Sequence, residues 1–244
     1  MIKLKDGTTS EYNQLDRITQ FDEKSRNYPL ASSIENKEWR SYTWRCNEVF
    51  DQGKDGACVA YALGHELAAR PAEVRGINDR WLKEDVYWEA QKIDPWPGGS
   101  YPGAGTSSEP FYEGTSVLAG VKILHSKGFF QEYRWAFSID ELILGLGRKG
   151  PAVIGVNWFE GMLYPDSKGY IHKTGNPVGG HAVLVRGVNL KKEHVLIRNS
   201  WGMGWGKNGD CYMKIGELET LLKDRGEAVF LNSRTASPMV PYKF

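Results

Sequence analysis

Cysteine is scarce in this chain, with three among 244 residues, at positions 46, 58 and 211. No C-x-x-C pair occurs, which excludes a zinc ribbon and a thioredoxin-type redox site. Three widely spaced cysteines allow at most one disulfide, and a reducing compartment keeps even that one open. Excess charge of either sign is missing as well. Lys and Arg number 31 against 30 Asp and Glu, a formal net charge of +1. Without a dense basic block, no nucleic-acid partner is expected. Long apolar runs are absent too. The longest uncharged apolar stretch, Gly150 to Phe159, is far too short to span a bilayer. The opening MIKLKDGTTSEYNQLDR lacks the apolar core of a signal peptide. A cytoplasmic protein without membrane contact is expected.

What is present suits a globular enzyme. Hydrophobic residues make up 41% and charged residues 25%, which excludes disordered, collagen-like and coiled-coil classes. Residues 1–45 are polar and irregular and read as an N-terminal arm with little core of its own. Val59, Ala62, Leu63 and Leu67 then share one helical face, ended by Pro71. A second helix is expected over about Asp79 to Lys92, before a breaker-rich loop from Asp94 to Pro110. Thr115 or Ser116 can cap a third through Leu124. Ser138 and Glu141 form a capping box for a fourth, closed by Gly150–Pro151. After Pro151 the segments AVIGVNW, HAVLVRGV, HVLIRN, CYMKI and EAVFLN read as strands. Helices followed by strands give an α+β fold. A helical lobe over 46–150 faces an antiparallel β lobe over 151–244, with a cleft between them.

The chemistry centres on Cys58. A Gly-rich turn, DQGKDGA, delivers this cysteine to the first turn of a helix. The unpaired N–H groups and helix dipole there favour a thiolate. Gln52, across the turn, can aim its amide at the same spot as the Cys58 backbone N–H, and two converging donors make an oxyanion hole. In the β lobe, His181 opens one strand and Asn199 closes the next, with the turn between them near Lys191. The two are then opposed or diagonal neighbours. An amide accepting from one imidazole nitrogen leaves the other free to act on a thiol. The remaining histidines fit packing. His65, for instance, lies about 10 Å along the helix from Cys58.

Taken together, Q-G-x-x-G-x-C, G-H-A-V-x-V and N-S-W-G-x-G-W-G-x-N-G resemble the three signature blocks of papain-like cysteine peptidases, in the same order. The likeness is strongest over Gln52–Ala68 and Gly150–Ile215, and compact bacterial and bacteriophage members resemble the layout best. The resemblance implies Cys58 as nucleophile, His181 as base and then acid, and Asn199 as its orienter. Gln52 with the Cys58 N–H would form the oxyanion hole, and Trp201 would cover the Asn199–His181 bond. The main specificity pocket would draw on Gly114, Gly155 and Ala182. No metal or cofactor is implied, and the partner is a peptide or protein substrate. The chain departs from the family in having Asp55 where a disulfide cysteine is usual and Val59 where a Trp usually follows the nucleophile. Asp55 would oppose the thiolate modestly if the two approach. No inhibitory prosegment of the long helical kind is recognisable, so activity as translated is expected, with three free thiols. An amidase or acyl transferase acting on cell-wall peptides, and a phage binding protein that keeps the fold, are the alternatives.

Overall fold

The computed structural model describes residues 1–19, 23–30, 38–105, 111–234 and 240. Parts of the expected arm (20–22 and 31–37), of the long loop (106–110) and of the C-terminus (235–239 and 241–244) lie outside the described residues. The chain opens with a small hairpin, β1 (Ile2–Lys3) against β2 (Thr9–Ser10), and a short edge strand β3 (Tyr42–Thr43). Next comes α1 (Cys58–Ala68), every residue of which is buried. A helix buried on every face sits inside a core, and α1 packs against the strands Pro177–Asn189 and Ala152–Phe159 of the main sheet and against the helix Val117–Ser126. The stretch α2 (Asp79–Trp81), a π-helical turn Leu82–Tyr87 and α3 (Trp88–Ile93) follow as one helical run, and then α4 (Val117–Ser126). Strand β4 (Phe130–Ala136) and α5 (Ile139–Arg148) complete the first part.

The second part holds β5 (Ala152–Phe159), β6 (Pro177–Asn189), β7 (His194–Arg198), β8 (Asp210–Lys214), α6 (Ile215–Lys223) and β9 (Glu227–Arg234). The main path of the sheet runs β4-β9-β5-β6-β7-β8, with β3 pairing to β6 as its seventh strand. All the pairs are antiparallel. The five expected strands and four expected helices form, and α1 does begin at Cys58. Ser116 is the cap of α4, its hydroxyl accepting from Ala119 N–H at 3.2 Å. Ser138 caps α5 at 3.1 Å, while Glu141 reaches back to the Phe137 N–H at 2.8 Å. Two orphan N–H groups of the helix entry are thereby satisfied.

The clean order of helices before strands does not hold. Strand β4 precedes residue 150 yet joins the main sheet through β9, and α6 lies among the later strands. Two large cores flank the sheet. One gathers α1 and α4 with Trp135 and Leu231, and the other gathers Trp158, Ile197 and Leu221. The arm also carries more core than expected. Leu15, Ile18 and Leu30 are fully buried, and Trp44 donates its indole N–H to the Leu146 carbonyl at 2.8 Å.

Candidate active site

His181 stands on β6 beside β5 and Asn199 directly follows β7, so both are carried by the centre of the sheet. Leu184 pairs with Arg198, and a bulge between Val185 and Gly187 sets the register. Asn199 therefore lies diagonal to His181, and its Oδ1 takes the His181 Nε2 hydrogen bond at 2.8 Å. The same Oδ1 accepts from the Ser200 N–H at 2.8 Å. An amide oxygen there makes Nε2 the protonated nitrogen and leaves Nδ1 as the one with a free lone pair. Nδ1 is buried with no hydrogen-bond partner. Trp201 lies against the pair, its ring 5.0 Å from the imidazole, and Trp158 lies against the same ring at 4.7 Å. Trp158 had no signal beyond the alternation of its strand.

Cys58 sits opposite, at the start of α1. Its Sγ accepts from the backbone N–H of Ala182, the residue after His181, at 3.3 Å. Gln52 is fixed beside it by Ser200, whose hydroxyl donates to Gln52 Oε1 at 2.6 Å and whose carbonyl accepts the Gln52 N–H at 2.9 Å. Fixing Oε1 this way turns the NH₂ of Gln52 toward the cleft. Gly202 permits this closeness: its φ is +72°, and a Cβ there would meet Asp51 Oδ2 at 2.6 Å. Ser200 was missed as an orienting residue, although it stands inside the block that carries Asn199. Asp55 does not oppose the thiol. Its carboxylate pairs with Lys83 at 2.8 Å, and its carbonyl accepts from Gln52 Nε2 at 2.9 Å.

The cleft is filled by the arm. The Arg17 N–H donates to Gly180 O at 3.1 Å and the Ile18 N–H to Thr115 O at 3.2 Å. Asp16 and Arg17 thus form parallel bridges to opposite walls. Both expected oxyanion-hole donors face this segment: the Cys58 N–H donates to Asp16 Oδ1 at 3.2 Å, and Gln52 Nε2 to the Gln14 carbonyl at 3.4 Å. Gly114 lies under the same strand, with φ +93°, where a Cβ would strike the Asp16 carbonyl. Nothing in the polar sequence around Asp16 announced this docking.

Docking reverses the expected ionisation. Burial pushes the Cys58 thiol well above its ordinary value, and the neighbouring Asp16 adds to the rise. Burial likewise brings His181 down to about 4, against the opposing pull of its Asn199 bond. Asp16 is pushed up to about 8, again chiefly by burial, with its bond to Cys58 pulling down and the Glu113 charge pushing up. At neutral pH a neutral thiol, a neutral imidazole and a protonated Asp16 face one another. The helix dipole cannot hold a thiolate against that loss of water.

Gly155 and Ala182 are partners in the β5–β6 register, so two of the three expected pocket residues share one wall. Among the described residues, no cluster of His, Cys, Asp and Glu could hold a metal ion, and no helix is long and apolar enough to cross a membrane.

The site is a two-sided cleft, with Cys58 on the helix side and His181 and Asn199 on the sheet side, the arrangement that the resemblance to papain-like peptidases implies. The family model described as "Papain family cysteine protease" matches residues 123–225. Cathepsin B-like CP2 of Giardia intestinalis is 26% identical over 216 residues, covering 76% of this chain and 70% of its own. Gamete and mating-type specific protein A of Dictyostelium discoideum is 25% identical, over 73% of this chain but only 41% of its own length. Xylellain, a cysteine protease from Xylella fastidiosa, shares the fold with a TM-score of 0.61 at 17% identity, covering 93% of this chain and 99% of its own. The chain is thus similar to papain-family cysteine proteases in sequence over its second half, and it shares their fold.

Loss of the orienter should cost less than loss of the base. In a chain whose arm has been disengaged, Asn199→Ala is expected to lower kcat about 10-fold or more, and His181→Ala at least another 10-fold, because only His181 transfers protons. Equal losses in steady-state kinetics would show that Asn199 does more than orient the ring.

Proposed function

We propose that this protein hydrolyses peptide bonds through an acyl-thioester on Cys58, and that the arm-docked form is its latent state. The observation that carries the reading is the set of groups around Cys58: a His–Asn pair with one imidazole nitrogen left without a partner, and the Cys58 N–H and Gln52 Nε2, both of which donate to the docked arm. With the arm displaced, water re-enters and the burial that holds Cys58 and His181 neutral is relieved. His181 Nδ1 then takes the thiol proton. The thiolate attacks the scissile carbonyl, and the resulting oxyanion sits on the Cys58 N–H and Gln52 Nε2. The protonated His181 gives its proton to the leaving amine, and the amine departs. Water, losing a proton to His181, opens the thioester and frees the acid.

The arm occupies the site without presenting a bond to cut. A leaving amine must lie near His181 Nδ1, and the Gln14 carbonyl is the arm group that acts on that ring. The acyl side of a substrate therefore extends toward Arg17 and Thr115. The arm runs the opposite way, and the group it offers the Cys58 N–H is a side-chain carboxyl. A reducing, cytoplasmic setting fits Cys46, Cys58 and Cys211, which are all unpaired. The compact layout shared with the Xylella fastidiosa protease fits a bacterial type.

The test is covalent labelling with an epoxysuccinyl probe, adduct mapping by mass spectrometry, and cleavage of a fluorogenic peptide library. A single adduct on Cys58 with turnover in the same sample is the expected result. An adduct on Cys46 or Cys211 with none on Cys58, or no turnover in an arm-disengaged variant, would overturn the reading.

A further inference from the structure

Beyond the His181–Asn199 pair the cleft runs on into an open trough. Tyr12, Gln14 and Leu15 of the arm meet Tyr164, Trp201 and Trp205 around a pocket of about 210 Å³. The same three aromatic residues line the trough, of about 730 Å³, together with Lys168, Lys207 and Tyr212, and no described residue of the arm lines it. Trp201 joins the trough to the chemistry. Its ring lies 5.0 Å from the His181 imidazole and 5.4 Å from the ring of Trp205. The leaving amine receives its proton from His181, and the acyl side runs the other way, toward Arg17 and Thr115. The trough is therefore the path open to the leaving segment. Two cations stand in its walls, each held by its backbone. The Lys168 N–H donates to Asp166 Oδ1 at 2.8 Å, in a turn closed by Gly169 at φ +85°. Lys207 sits between Gly206 and Asn208, both at positive φ, and its N–H donates to the Asp210 carbonyl at 2.8 Å. Among the described residues neither ammonium has an ion-pair or hydrogen-bond partner. Asp166, also in the wall, is already engaged: Oδ1 accepts a second bond from the Tyr170 N–H at 2.9 Å, and Oδ2 lies 3.2 Å from His172 Nε2.

Resting on the peptidase reading above, we propose that this trough holds the leaving segment of the substrate and selects an acidic side chain there, at the second or third residue after the cut bond. The position follows from the rings. The first residue after the bond passes Trp201, which lies against His181. An extended chain advances about 3.3 Å per residue, so Trp205 and the two lysines are met about two residues further on. A carboxylate entering the trough meets two cations that nothing in the protein neutralises, whereas a lysine or arginine side chain is repelled by both. Tyr164, Trp205 and Tyr212 give the stem of that side chain apolar surface to lie on. Both lysines are exposed, so the selection is modest and weakens with salt, as exposed charge pairs do.

The test uses the full chain with Asp16→Ala and Arg17→Ala together, which clears the oxyanion site and breaks the buried Arg17–Glu227 pair at 2.9 Å. Internally quenched peptides with amidated C-termini carry Glu, Gln or Lys at the second residue after the bond, and a second set carries them at the third. In at least one set, Glu is expected to exceed Gln by about 3-fold or more in kcat/KM and Lys by about 10-fold or more at low salt. The gaps should shrink to within about 2-fold at 1 M salt, where the screening length is about 3 Å. Adding Lys168→Glu and Lys207→Glu should reverse the order, with the Lys peptide cut best. Both positions bond through their backbones, so the unfolding curve should stay that of the parent. Should the reversed chain fold poorly, the salt series reads the same charges with the protein unaltered. Equal cleavage of all three side chains at both positions, or a Glu preference that survives the reversal, would overturn the proposal and leave the peptidase reading standing. So would a preference seen only in peptides ending there in a free carboxylate, which would make the trough a reader of chain ends. No cleavage of any peptide together with no probe adduct on Cys58 would instead remove the peptidase reading, and the proposal with it.

Discussion

Peptide hydrolysis is expected to fall by about 10⁴-fold or more when Cys58→Ala is placed in a chain whose arm is disengaged, with the fold retained. The size follows from the covalent route: without the sulfur there is no thioester, and the oxyanion donors alone recover only a fraction of the rate. The structural cost is small. Position 58 is the first residue of α1, where alanine is a good helix former, and the lost contact is one 3.3 Å bond from the Ala182 N–H. An unpaired backbone donor there costs about 1–3 kcal/mol, a drop of several degrees in Tm for a chain of this length. The check pairs kcat/KM with a thermal unfolding curve. A variant that keeps a cooperative transition and retains a tenth of the activity would exclude Cys58 as nucleophile.

The parts of the site that were legible in the sequence are those whose geometry is local or set by strand register. The turn before Cys58, the caps at Ser116 and Ser138, and the diagonal His181–Asn199 pair each follow from spacing over a few residues or one hairpin. The bulge between Val185 and Gly187 shifted the register by an amount no pattern announced, yet left the pair within reach. Strand β4 escaped because its partner β9 lies almost a hundred residues later, and FQEYRWA gives only weak alternation. Docking of the arm was illegible for the same reason on a larger scale. Gln14 to Ile18 carry no periodicity, and their partners are Gln52, Cys58, Thr115, Gly180 and Glu227. The ionisation at Cys58 then went the other way, because the helix-dipole argument treats the cysteine as solvated whereas Asp16 and its neighbours exclude water from it. Asp55 was judged by its distance in sequence from Cys58, but the turn aims its carboxylate at Lys83.

Disengaging the arm is expected to raise the rate of Cys58 labelling by about 100-fold or more in the Asp16→Ala, Arg17→Ala chain relative to the unaltered one. The docked state loses a buried ion pair and leaves Glu227 unpaired, about 3–5 kcal/mol against docking, and each 1.4 kcal/mol is tenfold in the population of the open form. Asp16 should also make docking weaken with rising pH, while His181, held down at about 4 in the docked form, contributes the opposite sign below its ordinary value of 6.5. Docking pushes the Asp16 carboxyl up to about 8, whereas in a solvated arm it would titrate near its ordinary value of 3.8. Between those limits the docked form holds a proton on Asp16 that the open form has released, so the contribution of Asp16 to docking weakens as pH rises and levels off above about 8. Asp16→Asn keeps the shape and removes the titration, while Cys58 and His181 still titrate in both chains once the cleft is open. The ratio of labelling rates, unaltered over Asp16→Asn, is therefore expected to climb from pH 4 to pH 8 and then flatten. A ratio that stays constant across that range would show that Asp16 is not the group through which the docked arm senses protons. Equal labelling of the unaltered chain and the double variant at every pH would show that the arm does not hold the cleft closed in solution.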